Sequence, residues 1–162
     1  LGVDPGTRFL GYGVLDFDGD RTECVAWGTL EGGKSREVHE RLFQLHQALC
    51  DVFDRWQPDL MAIEEPFAAR NVRAAMAIGH AQAVAMVAAA GHKLPVSSYA
   101  PRQVKLAVTD FGGSSKEQVQ EMVKLLLGLD APPESLDASD ALAVAICHIN
   151  AVEASQRVEA KR

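Results

Sequence analysis

The stretch LGVDPGTRFLGYGVL, residues 1–15, decides how the chain reads. An apolar run ends at Asp4, Pro5 and Gly6 make a turn, and a second apolar run begins at Phe9. This predicts a buried strand ending at Asp4 and a second strand over 9–17, paired with it as a hairpin. Asp18-Gly19-Asp20 turns the chain again, and RTECVAWGTL over 21–30 reads as a third antiparallel strand, completing a meander. A carboxylate at the end of a buried strand is costly unless a charged group meets it. Taken alone, Asp4 before Pro-Gly reads more readily as turn chemistry. The carboxylates farther along the chain reverse that balance.

Beyond the meander, Ser35 is placed to cap a helix running to Trp56, with Val38, Leu42, Leu45, Leu49, Val52, Phe53 and Trp56 on one core-facing stripe. Pro58 stops it, and DLMAIE over 59–64 predicts a buried strand delivering Glu64 and Glu65 at its end. Asn71 is a candidate N-cap for an Ala-rich helix over 72–90, closed by Gly91. A fifth strand over 94–99 leads to a brief helix opened by Pro101 that carries Arg102 and Lys105. Phe111-Gly112-Gly113 reads as a flexible joint. Ser115 and Gln118 form a capping box for a helix ending near Gly128, and Lys116 in its first turn opposes the macrodipole. Local violations of that kind mark functional positions. Pro132-Pro133 breaks the chain before a final helix capped by Ser135. The expectation is an α/β fold: a five-stranded mixed sheet flanked by helices, in one domain over 1–162, with 156–162 as a frayed tail.

Size and composition agree. A chain of 162 residues with 48% hydrophobic content can build one full core. The longest apolar stretch, 74–90, is interrupted by Gly79, His80 and Gln82 and reads as too short to span a membrane. No secretory signal is expected ahead of Leu1, and the lack of a starting Met reads as a trimmed N-terminus. Three scattered cysteines, Cys24, Cys50 and Cys147, provide neither a disulfide framework nor a zinc knuckle and point to a reducing cytoplasm. The net charge of −6 argues against nucleic acid only if it is uniform, and it is not. Residues 64–127 hold 7 Lys and Arg against 5 Asp and Glu, while both flanking segments are acidic. A metal-dependent nuclease needs that division, with local acid for cations and local base for phosphates.

Asp137 and Asp140 are spaced i, i+3, so both project from one helical face at the end where the dipole favours anions. The apolar residues that follow, 141–146, make this the rim of a helix buried nearly all round. Four carboxylates at two strand ends and a helix start, Asp4, one of Glu64 and Glu65, Asp137 and Asp140, match the oxygen ligation Mg²⁺ prefers. They suit two ions about 3.5–4 Å apart, able to activate a water and stabilise a leaving oxygen at a phosphodiester. No Ser-His-Asp or Cys-His arrangement competes, and the five histidines lack metal-ligand spacing and read as solvated or packed.

The segments VDPGTRFLGYGV, AIEEPFAARN, YAPRQVKLAVTDFGGSSKEQVQEMV and LDASDALAVAICH closely resemble the RuvC-type Holliday-junction resolvases, in the family's order and over nearly the whole chain. The resemblance implies a ribonuclease-H-like fold, a homodimer, and dependence on Mg²⁺ or Mn²⁺. It also implies four-way junction DNA as substrate and the branch-migration proteins RuvA and RuvB as partners. The family's catalytic, metal-binding acids fall on Asp4, Glu64, Asp137 and Asp140; Glu65 is the neighbour, because the acid directly follows Ala62-Ile63. DNA-contacting lysines fall on Lys105 and Lys116, and a DNA-stacking aromatic on Phe67. Arg70, Asn71 and Arg102 are expected as further DNA contacts. Glu65 and Pro66 depart from the family pattern, and Pro66 restricts Glu65 to extended geometry. Ala74, Ala75, Ala81, Ala85, Ala88 and Ala89 are candidates for close packing across the dimer.

Three other readings compete. Actin-like ATPases share the opening motif but need a second similar domain. A non-catalytic junction binder would not need all four acids. A related nuclease acting on RNA–DNA hybrid or structured RNA shares the chemistry.

Overall fold

The computed structural model describes residues 1–66 and 72–159. In chain order the elements are β1 (Gly2–Asp4), β2 (Phe9–Phe17), β3 (Thr22–Glu31), α1 (Val38–Trp56), β4 (Met61–Glu64), α2 (Val72–Gly91), β5 (Val96–Tyr99), α3 (Pro101–Thr109), α4 (Lys116–Leu127) and α5 (Leu136–Glu159). One sheet of five strands runs in the order β3-β2-β1-β4-β5. β1, β2 and β3 pair antiparallel as the meander expected, whereas β1 with β4 and β4 with β5 are parallel. Parallel pairing needs long crossovers, which is why helices intervene before β4 and β5.

The strand alternation divides the core between two faces. Val3, Leu10, Met61 and Ile63 point to one side, against Leu45, Leu49 and Phe53 of α1 and Ala85, Ala88 and Ala89 of α2. Ala62 points to the other, against Val104 and Val108 of α3, Val119 and Val123 of α4, and Leu142 and Val144 of α5. Helix α5 is apolar nearly all round because it lies across the middle of this second face, with Ala138, Ser139 and every residue from Ala141 through Cys147 buried. It approaches so closely that β1 and β2 have room only for glycine beneath it. A Cβ on Gly2 would strike the Ala141 carbonyl, and one on Gly11 the Asp137 carbonyl.

Several boundaries differ from the sequence expectation. Helix α1 starts at Val38 with Glu37 as its cap; Ser35 sits two residues outside, accepting the Glu37 N–H at 3.1 Å. The Ser115–Gln118 capping box forms as read, and Gly128 closes α4 at φ 61°. Ser135 accepts the N–H groups of Asp137 and Ala138 at 3.1 and 3.4 Å. Helix α5 continues through Glu159, so residues 156–159 are helical. The N-cap expected at Asn71 lies outside the described residues.

By length and composition α2 is apolar enough to cross a membrane, contrary to the sequence reading. In this fold it is the connection between parallel strands β4 and β5, with Ala81, Ala85, Ala88 and Ala89 buried in the protein's own core. Four of the six alanines expected to face a second copy therefore point inward. The outward face carries Val72, Met76, Ala83, Met86, Val87 and Ala90, together with exposed Arg73, Ala74 and His80.

Candidate active site

Asp4 and Glu64 end adjacent parallel strands. The register pairs Gly2 with Ala62 and Val3 with Ile63, so one further step sets Asp4 beside Glu64. Alternation turns both side chains to the α5 face, the same side as Gly2 and Ala62, and leaves Glu65 exposed on the other. The acids that meet at the two strand ends are thus Asp4 and Glu64, and Glu65 faces away by one residue of pleat.

Helix α5 supplies the rest. Its first two turns, held against Gly11 and capped by Ser135, carry Asp137 and Asp140 to the same end of the sheet. Burial raises the Asp4 carboxyl to about 8, reinforced by the neighbouring charges of Glu64, Asp140 and Asp137 and opposed by Lys116. Burial raises Glu64 to about 7, reinforced by Asp140 and opposed by Lys116 and Lys105. Asp140 is also raised, by burial first, although Lys116 donates a hydrogen bond to its Oδ2. Lys116 loses stability as a cation through burial but gains more from Asp140, Asp4 and Asp137, so its ammonium form is favoured overall. Asp4, Glu64, Asp140 and Lys116, from β1, β4, α5 and α4, are therefore electrically coupled, with the charge of Asp137 acting on Asp4, Asp140 and Lys116.

Lys105 donates to the Ser114 carbonyl, which ties α3 to the start of α4 beside this group. Arg102 is exposed on α3. Phe67, Arg70 and Asn71 lie outside the described residues. The histidines behave as read from sequence where their partners are defined: His148 Nδ1 meets the Tyr99 hydroxyl at 2.7 Å, and His92 packs edge-on to Phe53.

The donor set is all oxygen and suits a hard divalent cation. Among the described residues no three carboxylate, imidazole or thiol groups stand ready at ligand spacing. That is compatible with Mg²⁺, which is held by one or two carboxylates with waters and substrate phosphate completing the shell. Carboxylates buried together repel, and their raised affinity for protons marks a place that favours added positive charge. The residues fit the ion.

Sequence reading missed two features here. The ion pair between Lys116 and Asp140 joins residues 24 apart and was hinted at only by a lysine in an unfavourable first-turn position. The glycine track under α5 was visible as Gly2, Gly11 and Gly13 in otherwise apolar strands, a signal of close backbone approach.

A mixed sheet in this order, with helices on both faces and carboxylates gathered at the ends of β1 and β4, is the ribonuclease-H-like architecture of a nucleic-acid-processing enzyme. The family model described as "Crossover junction endodeoxyribonuclease RuvC" matches residues 1–148. A relative of that description from Dehalococcoides mccartyi is 47% identical over 148 residues, covering 91% of this chain and 89% of its own. The solved structure of T. thermophilus RuvC in complex with Holliday junction substrate superposes with a TM-score of 0.86 at 32% identity, covering 95% of this chain and 94% of that one. The yeast mitochondrial Holliday junction resolvase shares the fold at a TM-score of 0.64 and 12% identity, covering 99% and 84%. The chain belongs to the RuvC family of crossover junction endodeoxyribonucleases.

Proposed function

We infer that the chain, as one domain over 1–162, resolves four-way Holliday junctions by metal-dependent, paired nicking of DNA. The observation that supports this most is the convergence of Asp4, Glu64, Asp137 and Asp140 around Lys116. Asp4 and Glu64 would hold one side of a divalent-ion site from rigid strand ends, and Asp137 and Asp140 the other from α5. When bound, a pair of Mg²⁺ ions, or Mn²⁺ in their place, supplies a water of lowered pKa and charge stabilisation at the leaving oxygen.

The protein's own groups do the positioning. Lys116, already held by Asp140, presents its remaining donors to the phosphate at the scissile bond, while Lys105 and Arg102 meet the backbone on either side. Phe67, Arg70 and Asn71 complete the DNA contacts in this reading, Phe67 by stacking on an unpaired base. One cluster serves one strand, so resolution takes two copies. The exposed stripe of α2 is the surface for that homodimer, because it is largely apolar, broken by Arg73 and His80, and not covered by any described residue of this chain. RuvA and RuvB are the partners in this reading, and the cytoplasm its setting.

Cleavage of a four-way junction, a matching duplex and an RNA–DNA hybrid in Mg²⁺ tests the assignment. The junction should be cut preferentially; preference for the hybrid would favour a ribonuclease instead. Asp4→Asn, Glu64→Gln, Asp137→Asn and Asp140→Asn should each bind the junction but not cut it, and substantial turnover by Asp4→Asn would overturn the site.

A further inference from the structure

The loop between α3 and α4, read from sequence as a flexible joint, is heavily cross-braced. Asp110 closes α3 in the left-handed region at φ 56°. Thr109 Oγ1 sits 2.8 Å from the Lys105 carbonyl and accepts the Phe111 N–H at 3.3 Å. Ser114, itself buried, returns its N–H and its hydroxyl to the Phe111 carbonyl at 3.2 and 2.9 Å. The backbone of Phe111 is thus pinned from both sides, yet its side chain is 66% exposed. The ring folds back over Gly113, where a Cβ would come within 2.8 Å of it. On the other side of the loop the stem of Arg102 lies against Gly112.

A large aromatic left mostly exposed on a braced loop contributes little to the fold, since it removes little apolar area from solvent. Its neighbours define what would cover it. Lys105 roots the loop through Ser114, Arg102 flanks it, and Lys116 follows five residues later with its ammonium in the carboxylate cluster. An apolar ring framed by cations next to a phosphodiester site is complementary to a nucleotide, with the base on the ring and the phosphate on the cations.

We propose that Phe111 is a DNA-stacking residue that receives an unpaired base of the junction strand running past Lys105 and Lys116. The proposal rests on the junction-cleaving reading and adds a positioning contact to it. The braced loop fixes the Phe111 backbone before DNA arrives, so only the ring itself is left to be ordered on binding.

Four-way junctions carrying 2-aminopurine at each position flanking the crossover report stacking by fluorescence, and titrations over a range of salt report affinity. Phe111→Ala should remove the protein-induced fluorescence change at one position and weaken binding between about fivefold and 150-fold, the worth of one base stack. The slope of log affinity against log salt should stay the same, because no phosphate contact is lost. Phe111→Tyr should restore both signals. Gly113→Ala, which displaces the ring without removing it, should lose part of each. Unchanged affinity and fluorescence in Phe111→Ala would overturn the proposal while leaving junction cleavage by the wild type intact. A loss that tyrosine does not restore would also overturn it, by assigning the ring to loop structure. Failure of the wild type to bind junctions at all would overturn the functional reading beneath it.

Discussion

Gly11→Ala tests whether the spacing between the sheet and α5 sets the site. The new Cβ falls onto the Asp137 carbonyl oxygen and within 3.1 Å of the Ala138 nitrogen. Both are backbone atoms of a capped helix, so no side chain can swing aside. Restoring ordinary contact at 3.4–4 Å requires the first turn of α5 to retreat from β1 and β2 by roughly 1.5–2 Å. Overpacking of that kind costs about 1–3 kcal/mol of stability, small enough for the protein to remain folded. The consequence for chemistry is larger, because Asp137 and Asp140 move with the turn while Asp4 and Glu64 stay on the sheet. A misplacement of about 1 Å at reacting groups costs roughly 100-fold in rate. Urea unfolding, junction gel shifts and cleavage rates on one preparation should show modest destabilisation, near-normal binding and a rate lower by about two orders of magnitude. Gly91→Ala is the control: nothing lies within 4 Å of its Cβ and its φ is not positive, so at the end of α2 the change should be neutral or stabilising by up to about 1 kcal/mol. Wild-type cleavage by Gly11→Ala would refute the argument that helix approach sets the carboxylate geometry.

Three further outcomes follow from the same geometry. Asp4 and Glu64 titrate near 8 and 7 when folded, above their ordinary values of 3.8 and 4.5, so the folded state holds their protons more tightly than the unfolded state does. Stability should therefore fall as pH rises from about 4 to 8, and added Mg²⁺ should raise the melting temperature more at pH 8 than at pH 5; equal shifts would argue against ion binding at these groups. Lys116→Ala should flatten the salt dependence of junction binding by about one unit, read from titrations at several salt concentrations, and should also reduce turnover. Val87→Glu on the exposed stripe of α2 should give a monomer by analytical ultracentrifugation, with its melting temperature little changed; a dimer of normal affinity would move the interface elsewhere.

The sequence by itself determined what depends on nearest neighbours along the chain. The Asp-Pro-Gly turn, the run over Phe9–Phe17, the Ser115–Gln118 capping box and the Gly128 stop are local, and all appear as read. Asp4, Asp137 and Asp140 were legible for the same reason, each lying at the end of a strand or the start of a helix, whereas Glu64 was set apart from Glu65 only by the family resemblance. That they would meet was expected from their chemistry, but the pairing that brings them together was not, since a 3-residue β1 finds β4 only through parallel pairing over an intervening hairpin and helix. Tertiary structure also decided which face of α2 is buried. Its alanines carry almost no amphipathic signal, so only contact with α1 and the sheet turns Ala81, Ala85, Ala88 and Ala89 inward. It alone joined Lys116 to Asp140 and braced Phe111 through Thr109 and Ser114. Periodicity records how a residue sits on its own element, whereas charge pairing and close approach depend on which elements the fold brings together.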